Sequence, residues 1–343
     1  MRSKKMGLPW KIAAITISLL LVISVGYYYQ LKAGKNTASN KTIRMGYMPV
    51  ITNLASPLLD YASKDRKDVQ FKAMKFSSFA EMGESLRNGK IDVAFIIAPL
   101  SIALKQQGED IKVVYIGNRH ESTLVFRKGL KVKTLSDLAG HTIAVPIRFS
   151  GHNITLRKLL KKEGLEDKIK VVEMNPPDMP VGLASGALDA YFVGEPFPSK
   201  TLTAGSSERL YYVEEIAPHF ICNLMIVRNE FIQKDPATVK MLVQAAVRSG
   251  MWAKNHLDKA AQIASEYWGT PLPIVNYALN TPPNRVLFDL YQPKQEEMQA
   301  MADDMLSLGL IKNNNIVGLV DDQFAKTADL NNIGDDIHSI FPK

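Results

Sequence analysis

The chain has 343 residues, of which 46 % are apolar and 22 % are charged, and it contains a single cysteine. These values are typical of a folded globular protein, and they exclude a disordered, collagen-like or disulfide-stapled chain. At about 100 to 200 residues per domain, the length favours two domains that each have a core.

The formal net charge of +8 is concentrated near the N-terminus. Residues 1–40 carry six basic side chains and no acidic ones. The other 303 residues carry 36 basic and 34 acidic side chains, so the body of the chain has a net charge of only +2. We therefore expect no nucleic-acid partner, because binding to phosphate backbones requires a basic surface.

An uncharged run of 18 residues extends from Ile12 to Tyr29. At about 1.5 Å per residue, a helix of this length crosses most of a hydrocarbon core of about 30 Å. The basic residues before the run would stay cytoplasmic, so everything after Tyr29 is expected to be exported. Residues 1–40 are interpreted as an N-terminal signal-anchor or transmembrane segment, or a cleaved signal peptide, followed by a polar tether. A buried core helix is the third alternative.

The remainder of the chain alternates between predicted strands and helices. The strands are expected at 42–47, 69–76, 142–146 and 170–174, and the helices between them at 54–62 and 153–163. Two later strands, at 210–213 and 222–227, precede a helical tail with helices at 237–253 and 295–310. This order predicts an α/β fold of two lobes with mainly parallel sheets, although one continuous doubly wound sheet remains an alternative.

An internal repeat supports the two-lobe interpretation. Residues 86–100 read LRNGKIDVAFIIAPL and residues 183–197 read LASGALDAYFVGEPF, a shift of 97 residues. Each copy has the pattern of a helix end with a glycine stop, a short apolar strand, and a proline that suits the start of a new helix. The identical pairs are Leu86/Leu183, Gly89/Gly186, Asp92/Asp189, Phe95/Phe192 and Pro99/Pro196.

Polar residues follow several of the predicted strands at their carboxyl ends, where open α/β sheets bind ligands. Ser150-Gly151-His152-Asn153 opens a helix whose free N–H groups favour an anionic or acceptor-rich group, although Ser150 could simply cap the helix. Thr52 and Ser78 occupy corresponding positions in the first lobe, with local capping as the alternative. Glu195 could accept hydrogen bonds from an amine or a ring N–H, or could be a solvated loop carboxylate. Cys222 is interpreted as a small buried residue, although His219 nearby makes a reactive thiol conceivable.

These segments resemble a known family. The segment 183–197, with NPPDM at 175–179 before it, is similar to periplasmic substrate-binding proteins of the nitrate/sulfonate/taurine class of ABC importers, whose relatives include thiamine-pyrimidine-precursor-binding proteins. The segments 87–104 (RNGKIDVAFIIAPLSIAL), 135–146 (LSDLAGHTIAVP) and 150–160 (SGHNITLRKLL) share the likeness. Together the resemblance extends over about residues 42–330.

The resemblance implies a type II periplasmic-binding-protein fold, in which two α/β lobes close on a ligand cleft through a hinge. Residues 42–127 and 223–343 would form lobe 1 and residues 128–222 lobe 2, with chain crossings near 122–128 and 222–228. Carried over by motif, the ligand-facing residues would be Thr52, Asn53, Ser78, Ser150, Gly151, His152, Asn153, Glu195 and Asn223.

The resemblance also implies a function. The chain would be the extracytoplasmic solute-binding component of an ABC importer, capturing a small anionic, zwitterionic or heterocyclic solute for a permease and an ATPase that it does not encode. No catalytic residue, metal site or cofactor is expected, because the histidines lack HExxH or HxxxH spacing and no Walker motif occurs. The alternatives are a membrane-tethered sensor or scavenger module, and an enzyme on the same fold, pyrimidine synthase-like or a lyase.

The N-terminal segment makes a testable prediction about location. If residues 12–29 anchor the protein, the full-length chain should remain in the membrane pellet after a carbonate wash. Recovery in the soluble fraction with a shortened N-terminus would instead show a cleaved signal peptide.

Overall fold

The computed structural model of the protein describes residues 24–25 and 41–342. The predicted anchor, Ile12 to Tyr29, lies outside the described residues except for Ser24 and Val25. Within the described residues, none of the helices combines the length and the hydropathy that spanning a bilayer requires.

The first of two sheets contains five strands. They are β1 (Lys41–Tyr47), β2 (Val69–Lys75), β3 (Val93–Ile97), β4 (Ile111–Ile116) and β10 (Asn223–Arg228). Their order across the sheet is β2-β1-β3-β10-β4, and β10 runs antiparallel to both of its neighbours.

The second sheet has the same organisation. It contains β5 (Ser122–Arg127), β6 (Thr142–Val145), β7 (Lys170–Glu173), β8 (Ala190–Gly194) and β9 (Ser207–Tyr212). Their order is β7-β6-β8-β5-β9, with β5 as the antiparallel strand. The predicted two-lobe arrangement is thereby observed as two separate mixed sheets rather than one continuous sheet.

Helices connect and cover the two sheets. Around the first sheet lie α1 (Ala55–Ser63), α2 (Phe79–Arg87) and α3 (Ala98–Gln106). Around the second lie α4 (Gly151–Glu163), α5 (Met179–Ala184), α6 (Phe197–Thr203) and α7 (Val213–Ile216). After β10 come α8 (Asn229–Lys234), α9 (Pro236–Asn255), α10 (Leu257–Trp268), α11 (Leu272–Asn280), α12 (Gln295–Ser307) and α13 (Gln323–Lys326). Short 3-10 helices lie at Ile51–Asn53, Leu135–Leu138, Pro176–Asp178 and Ile337–Ile340.

The repeated aspartate has the same structural role in both lobes. Asp92 accepts a hydrogen bond from the backbone N–H of Arg44 at 2.9 Å, at β1. Asp189 accepts one from the backbone N–H of Thr142 at 3.0 Å, at the start of β6. Asp92 therefore ties the loop before β3 to β1, and Asp189 ties the loop before β8 to β6. This shared role explains why the aspartate recurs in the sequence.

The chain crosses between the sheets earlier than the sequence suggested. We expected the first crossing near 122–128 and the lobe boundary after residue 127, but residues 122–126 pair with β8 inside the second sheet. The crossing segments are therefore 117–121, between β4 and β5, and 217–222, between α7 and β10. The physical reason is that the backbones of Ser122 and Thr123, although their side chains are polar, pair with Gly194 and Val193 of β8 and so begin the strand.

Apolar packing links the two lobes as well as filling each one. One buried cluster joins Val50 and Ile96 of the first lobe to Val193 and Phe197 of the second. Two further clusters fill the outer faces of the two sheets separately. The lobes are thus packed against each other in this structure.

A buried arginine holds the C-terminal segment against the first lobe. Arg248, in α9, is 2 % exposed, and its guanidinium donates five hydrogen bonds to backbone carbonyl oxygens. The acceptors lie in residues 329–340: Asp329 (2.8 Å), Asn331 (2.7 Å), Asn332 (3.3 Å), Ser339 (2.6 Å) and Ile340 (2.9 Å). The five hydrogen bonds of the guanidinium therefore all go to backbone carbonyl oxygens of the C-terminal segment. These bonds hold the segment against α9.

Replacing this arginine should loosen the C-terminal segment. We expect Arg248→Met to lower the free energy of unfolding by about 3 kcal/mol or more, because buried carbonyl oxygens lose their donors. Urea denaturation measures the change. Lys254→Met, in the same helix at an exposed ion pair with Asp289, is the control and should change stability by no more than about 0.5 kcal/mol. Equal effects of the two substitutions would contradict the assignment.

Candidate functional site

The two lobes meet through direct backbone hydrogen bonds at the carboxyl ends of their strands. The N–H of Ile51, which opens the 3-10 helix after β1, donates to the carbonyl oxygen of Glu195 at 2.8 Å. The N–H of Ala98, at the start of α3, donates to the carbonyl oxygen of Cys222 at 2.8 Å. The first-lobe helix starts are therefore held by backbone acceptors from the second lobe and from a crossing segment.

Two of the predicted residues, Asn53 and Asn223, bind each other. The side-chain amide of Asn223 donates to Oδ1 of Asn53 at 2.8 Å. The amide of Asn53 donates in turn to the carbonyl oxygens of Met48 at 3.1 Å and Phe95 at 3.2 Å. Both residues are about 1 % exposed or less. The pair is therefore a buried polar contact of the first lobe, next to the point where the two lobes meet.

The predicted residues at the start of α4 divide into caps and a buried histidine. Ser150 caps the helix, because its hydroxyl accepts the N–H of Asn153 at 3.1 Å. Asn153 donates to the carbonyl oxygen of Arg148 at 2.8 Å and accepts from Arg157 Nε at 3.0 Å. Gly151 leaves space for an aromatic neighbour, since a Cβ atom there would lie 2.8 Å from the ring of Phe220. Ser150 and Asn153 thus mainly shape the helix start.

His152 is buried in the second lobe beside the second crossing segment. Its Nε2 atom is 2.9 Å from the hydroxyl of Ser122. Its ring packs against Phe192 and Phe220, with ring centroids 4.9 Å and 5.1 Å away. Burial lowers the pKa of His152 to about 3, so the imidazole is neutral at physiological pH.

Thr52 is buried close to the crossing segments, whereas Ser78 is a helix cap. Thr52 is 1 % exposed, and a Cβ atom on Gly117 would lie 2.2 Å from its carbonyl oxygen. Ser78 is only half-buried and caps α2, accepting the N–H of Glu81 at 3.4 Å. Ser78 therefore has the capping role that the sequence left open as its alternative.

The carboxylate of Glu195 is engaged by its own lobe. Thr123 Oγ1 donates to one oxygen at 3.0 Å. The N–H and the hydroxyl of Ser199 donate to the other at 2.9 Å and 2.6 Å. Burial raises the pKa of Glu195, and the hydrogen bonds oppose that rise. The side chain therefore fixes the start of α6 from within the second lobe.

The most important residue that the sequence interpretation missed is Glu121, in the first crossing segment. Its carboxylate accepts the hydroxyl of Ser122 at 2.9 Å and the N–H of Glu195 at 3.0 Å. Burial, as the largest cause, raises its pKa to about 7. Gly194 permits this approach, because a Cβ atom there would lie 2.6 Å from a Glu121 oxygen.

A signal for this residue exists in the sequence. Asn118 to Thr123 is an unbroken polar run that leads from the loop after β4 into the start of β5, and five of its members are at most 5 % exposed. A polar run that remains buried must find internal partners, which marks it as part of the junction.

Three buried polar atoms in this region have no nitrogen or oxygen hydrogen-bond partner among residues 41–342, although the thiol of Cys222 lies close to one of them, the hydroxyl of Thr52. They are Oγ1 of Thr52, Oδ1 of Asn118 and Nδ1 of His152. Asn118 itself donates to the carbonyl oxygen of Ile51 at 2.7 Å, so its amide is oriented toward the first lobe. Because buried polar groups are nearly always paired, these atoms are candidate contacts for a bound solute or water.

The surroundings of Cys222 disfavour its thiolate form. It is 3 % exposed, and burial raises the pKa of its thiol. The histidine near it is His152, with Nε2 4.0 Å from Sγ, whereas His219 is exposed. Among the described residues, no group of three His, Cys, Asp or Glu side chains is arranged to hold a metal ion.

A cavity of about 630 Å³ lies beside the junction. It is enclosed by α4, by residues 216–221 of the second crossing and by α12, so both lobes contribute walls. Gly151 is the one predicted site residue that lines it.

Titration of Glu121 should be visible in the stability of the protein. Its carboxyl stays protonated in the folded state up to about pH 7 but ionises near pH 4.5 in the unfolded chain, so stability falls as the pH rises through this window. The full contribution is about 3 kcal/mol.

Comparing the wild type with Glu121→Gln isolates this contribution. The pKa of His152 is lowered, so His152 makes the free energy of unfolding rise as the pH rises toward 6.5, opposite to Glu121. Because His152 is present in both proteins, its effect cancels in the comparison. We therefore expect the unfolding free energy of Glu121→Gln, relative to wild type, to increase between pH 4.5 and 7, as measured by urea denaturation. A pH-independent difference would contradict the assignment, and Glu81→Gln at an exposed position is the control.

The fold and sequence have clear relatives. The chain is 26 % identical over 335 residues to a putative aliphatic sulfonates-binding protein of Bacillus subtilis, covering 90 % of this chain and 96 % of the relative. It is 22 % identical over 228 residues to the nitrate/nitrite binding protein NrtA of Synechococcus elongatus, covering 57 % of this chain and 51 % of that one.

A solved structure shares the fold. It is the ligand binding component of an ABC-type import system from Staphylococcus aureus with zinc bound. It matches with a TM-score of 0.76 and 19 % identity, covering 85 % of this chain and all of that one. The predicted resemblance is thereby confirmed. The model of the NMT1-like family matches residues 36–266, and the chain belongs to that family.

Proposed function

We propose that the protein is the extracytoplasmic solute-binding component of an ABC importer. It captures a small anionic, zwitterionic or heterocyclic solute between its lobes and delivers it to a membrane permease. The observation that carries the proposal is the set of unpartnered polar atoms where the lobes meet, on Thr52, Asn118 and His152. The sulfonate-binding and nitrate-binding relatives support the same function.

The mechanism is hinge closure driven by differential affinity. Thr52 belongs to the first lobe, His152 to the second and Asn118 to a crossing segment. A solute that contacts all three has its full set of hydrogen bonds only when the lobes are together, so binding favours the closed state. The closed form is the one that a permease would recognise.

The predicted ligand-facing residues take different roles in this proposal. Thr52 and His152 contact the solute, and Ser78 caps α2. Asn53 and Asn223 form a buried polar contact of the first lobe, and Ser150, Gly151 and Asn153 shape the start of α4. Glu195 acts by fixing the start of α6, because its oxygens already accept three hydrogen bonds.

We further propose that the protein is not an enzyme. The buried thiol of Cys222 is protonated, and the neutral His152 is packed between two phenylalanine rings. Neither group is poised for nucleophilic or proton-transfer chemistry. The N-terminal segment would keep this binding module at the outer face of the cytoplasmic membrane.

Solute binding can be tested with the full-length protein by thermal shift and calorimetry over alkanesulfonates, taurine, nitrate, bicarbonate and thiamine precursors. We expect one class to raise the melting temperature without being consumed. No shift from any class, or product formation from one, would overturn the proposal.

Thr52→Val tests the site itself. Valine preserves the shape and removes the unpartnered hydroxyl, so the affinity for the identified solute should fall about tenfold, equivalent to about 1.4 kcal/mol. The free energy of unfolding should stay constant or rise, since an unsatisfied buried group is lost. Ser249→Ala is the control, because that buried hydroxyl is bound to the carbonyl oxygen of Ala246 within α9. An unchanged affinity of Thr52→Val would remove Thr52 from the site.

A further inference from the structure

A third segment of chain runs beside the first crossing. Residues 285–291 follow α11, and Arg119 and Leu287 exchange backbone hydrogen bonds at 3.0 and 3.1 Å. The N–H of Ile116 donates to the carbonyl oxygen of Tyr291 at 2.8 Å. This segment therefore braces the hinge region although it belongs to neither sheet.

The segment is anchored in the first lobe. Val286 and Phe288 are buried in the apolar cluster that contains Val247 and Trp252 of α9. A Cβ atom on Gly250 would lie 3.6 Å from the Phe288 ring, so the helix and the segment are in close contact. The residues on either side of Leu287 therefore move with the first lobe.

One side chain of the segment reaches into the second lobe instead. Arg285 donates to both carboxylate oxygens of Glu214, at 2.8 Å and 3.2 Å, and Glu214 lies in α7 directly after β9. It also donates to the backbone carbonyl oxygen of Ser122 and packs over the ring of Tyr212 at 4.1 Å. The Arg285 side chain is 3 % exposed and that of Glu214 24 %.

Arg285 is also connected to the solute cleft. Its Nη1 lies 3.3 Å from Thr123 Oγ1, and the same hydroxyl donates to the carboxylate of Glu195 at 3.0 Å. The carbonyl oxygen of Glu195 in turn accepts the N–H of Ile51 across the lobes. Arg285 is thus linked through Thr123 and Glu195 to Ile51 of the first lobe.

We propose that Arg285 is a positioning residue, an interlobe clamp that holds the second lobe in the orientation needed to bind solute. Opening the hinge would separate Arg285, which is fixed to the first lobe, from Glu214 in the second. Opening would break the hydrogen bonds from Arg285 to Glu214, Thr123 and Ser122 together, so these contacts favour the closed state before solute arrives. Apparent affinity scales with the fraction of binding-competent protein, so weakening the clamp should weaken binding.

The structure offers a closely matched control for this clamp. Arg119 and Glu297 form a second bidentate pair, at 2.8 and 2.9 Å, with side chains 3 % and 23 % exposed. This pair joins a crossing segment to α12, which packs on α3 of the first lobe. Its loss should therefore affect stability without releasing the second lobe.

The experiment compares Glu214→Gln with Glu297→Gln in the full-length protein. Spin labels at Lys64→Cys in the first lobe and Val181→Cys in the second, both exposed, report the distance between the lobes by pulsed electron paramagnetic resonance. Without solute, we expect Glu214→Gln to lower the closed population several-fold and Glu297→Gln to leave it within twofold of wild type. Indistinguishable distance distributions in the two variants would overturn the proposal.

The affinity measurement adds a second readout. This inference rests on the proposed function. Glu214→Gln should weaken solute binding by the same factor by which it lowers the closed population. An affinity equal to that of the wild type would overturn the role of the clamp in binding. If Glu214→Gln does not fold, Arg285→Lys tests the clamp instead. Lysine keeps the positive charge but cannot donate to both carboxylate oxygens of Glu214 as the guanidinium does. It should open the lobes, and an unchanged distance would count against the clamp. If the wild type binds no solute, the proposed function fails, but the distances still test the clamp.

Discussion

The structure depends on satisfying polar groups where two separately cored sheets come together. Apolar side chains of both lobes form one cluster at this interface, but apolar packing does not by itself fix an orientation. Hydrogen bonds fix the relative orientation of the lobes, and two direct links are the bond from the Ile51 N–H to the Glu195 carbonyl oxygen and the bonds from Arg285 to Glu214. These bonds form only when donor and acceptor are correctly placed across the two lobes, which makes the relative position of the lobes specific.

The two lobes are built on one plan and differ where the solute would bind. Both sheets have the same spatial order of strands. The repeated aspartate ties the loop before β3 to β1 in one lobe and the loop before β8 to β6 in the other. After the first strand, however, the first lobe continues into a short 3-10 helix, whereas the second lobe opens a 13-residue helix capped by Ser150. The duplicated scaffold thus presents two different surfaces to the cleft, which is what an asymmetric solute needs for contacts on both sides.

Much of this fold could be predicted from the sequence because its signals are local. The alternation of apolar strands and helices, the repeat and the glycine stops placed most elements within a few residues of their observed bounds. The crossing was misplaced because the family resemblance put it at residues 122–128, whereas the backbone of Ser122 and Thr123 pairs with β8. Whether the predicted site residues contact a solute stays a prediction. Arg285 had no local signal at all, since Glu214, its partner, lies 71 residues away in the chain.

The charges at the junction explain how two carboxylates can share a buried site. Glu121 and Glu195 repel each other when ionised, and burial penalises both, but the positive charge of Arg285 lies close enough to lower both pKa values in part. Each of their oxygens accepts at least one hydrogen bond from a donor of the second lobe. The atoms left without partners, a hydroxyl, an amide oxygen and a neutral imidazole nitrogen, carry no net charge. If these atoms contact the solute as proposed, selection would rest on hydrogen-bond geometry more than on attraction between charges, because a wrongly shaped solute leaves buried polar atoms unpaired.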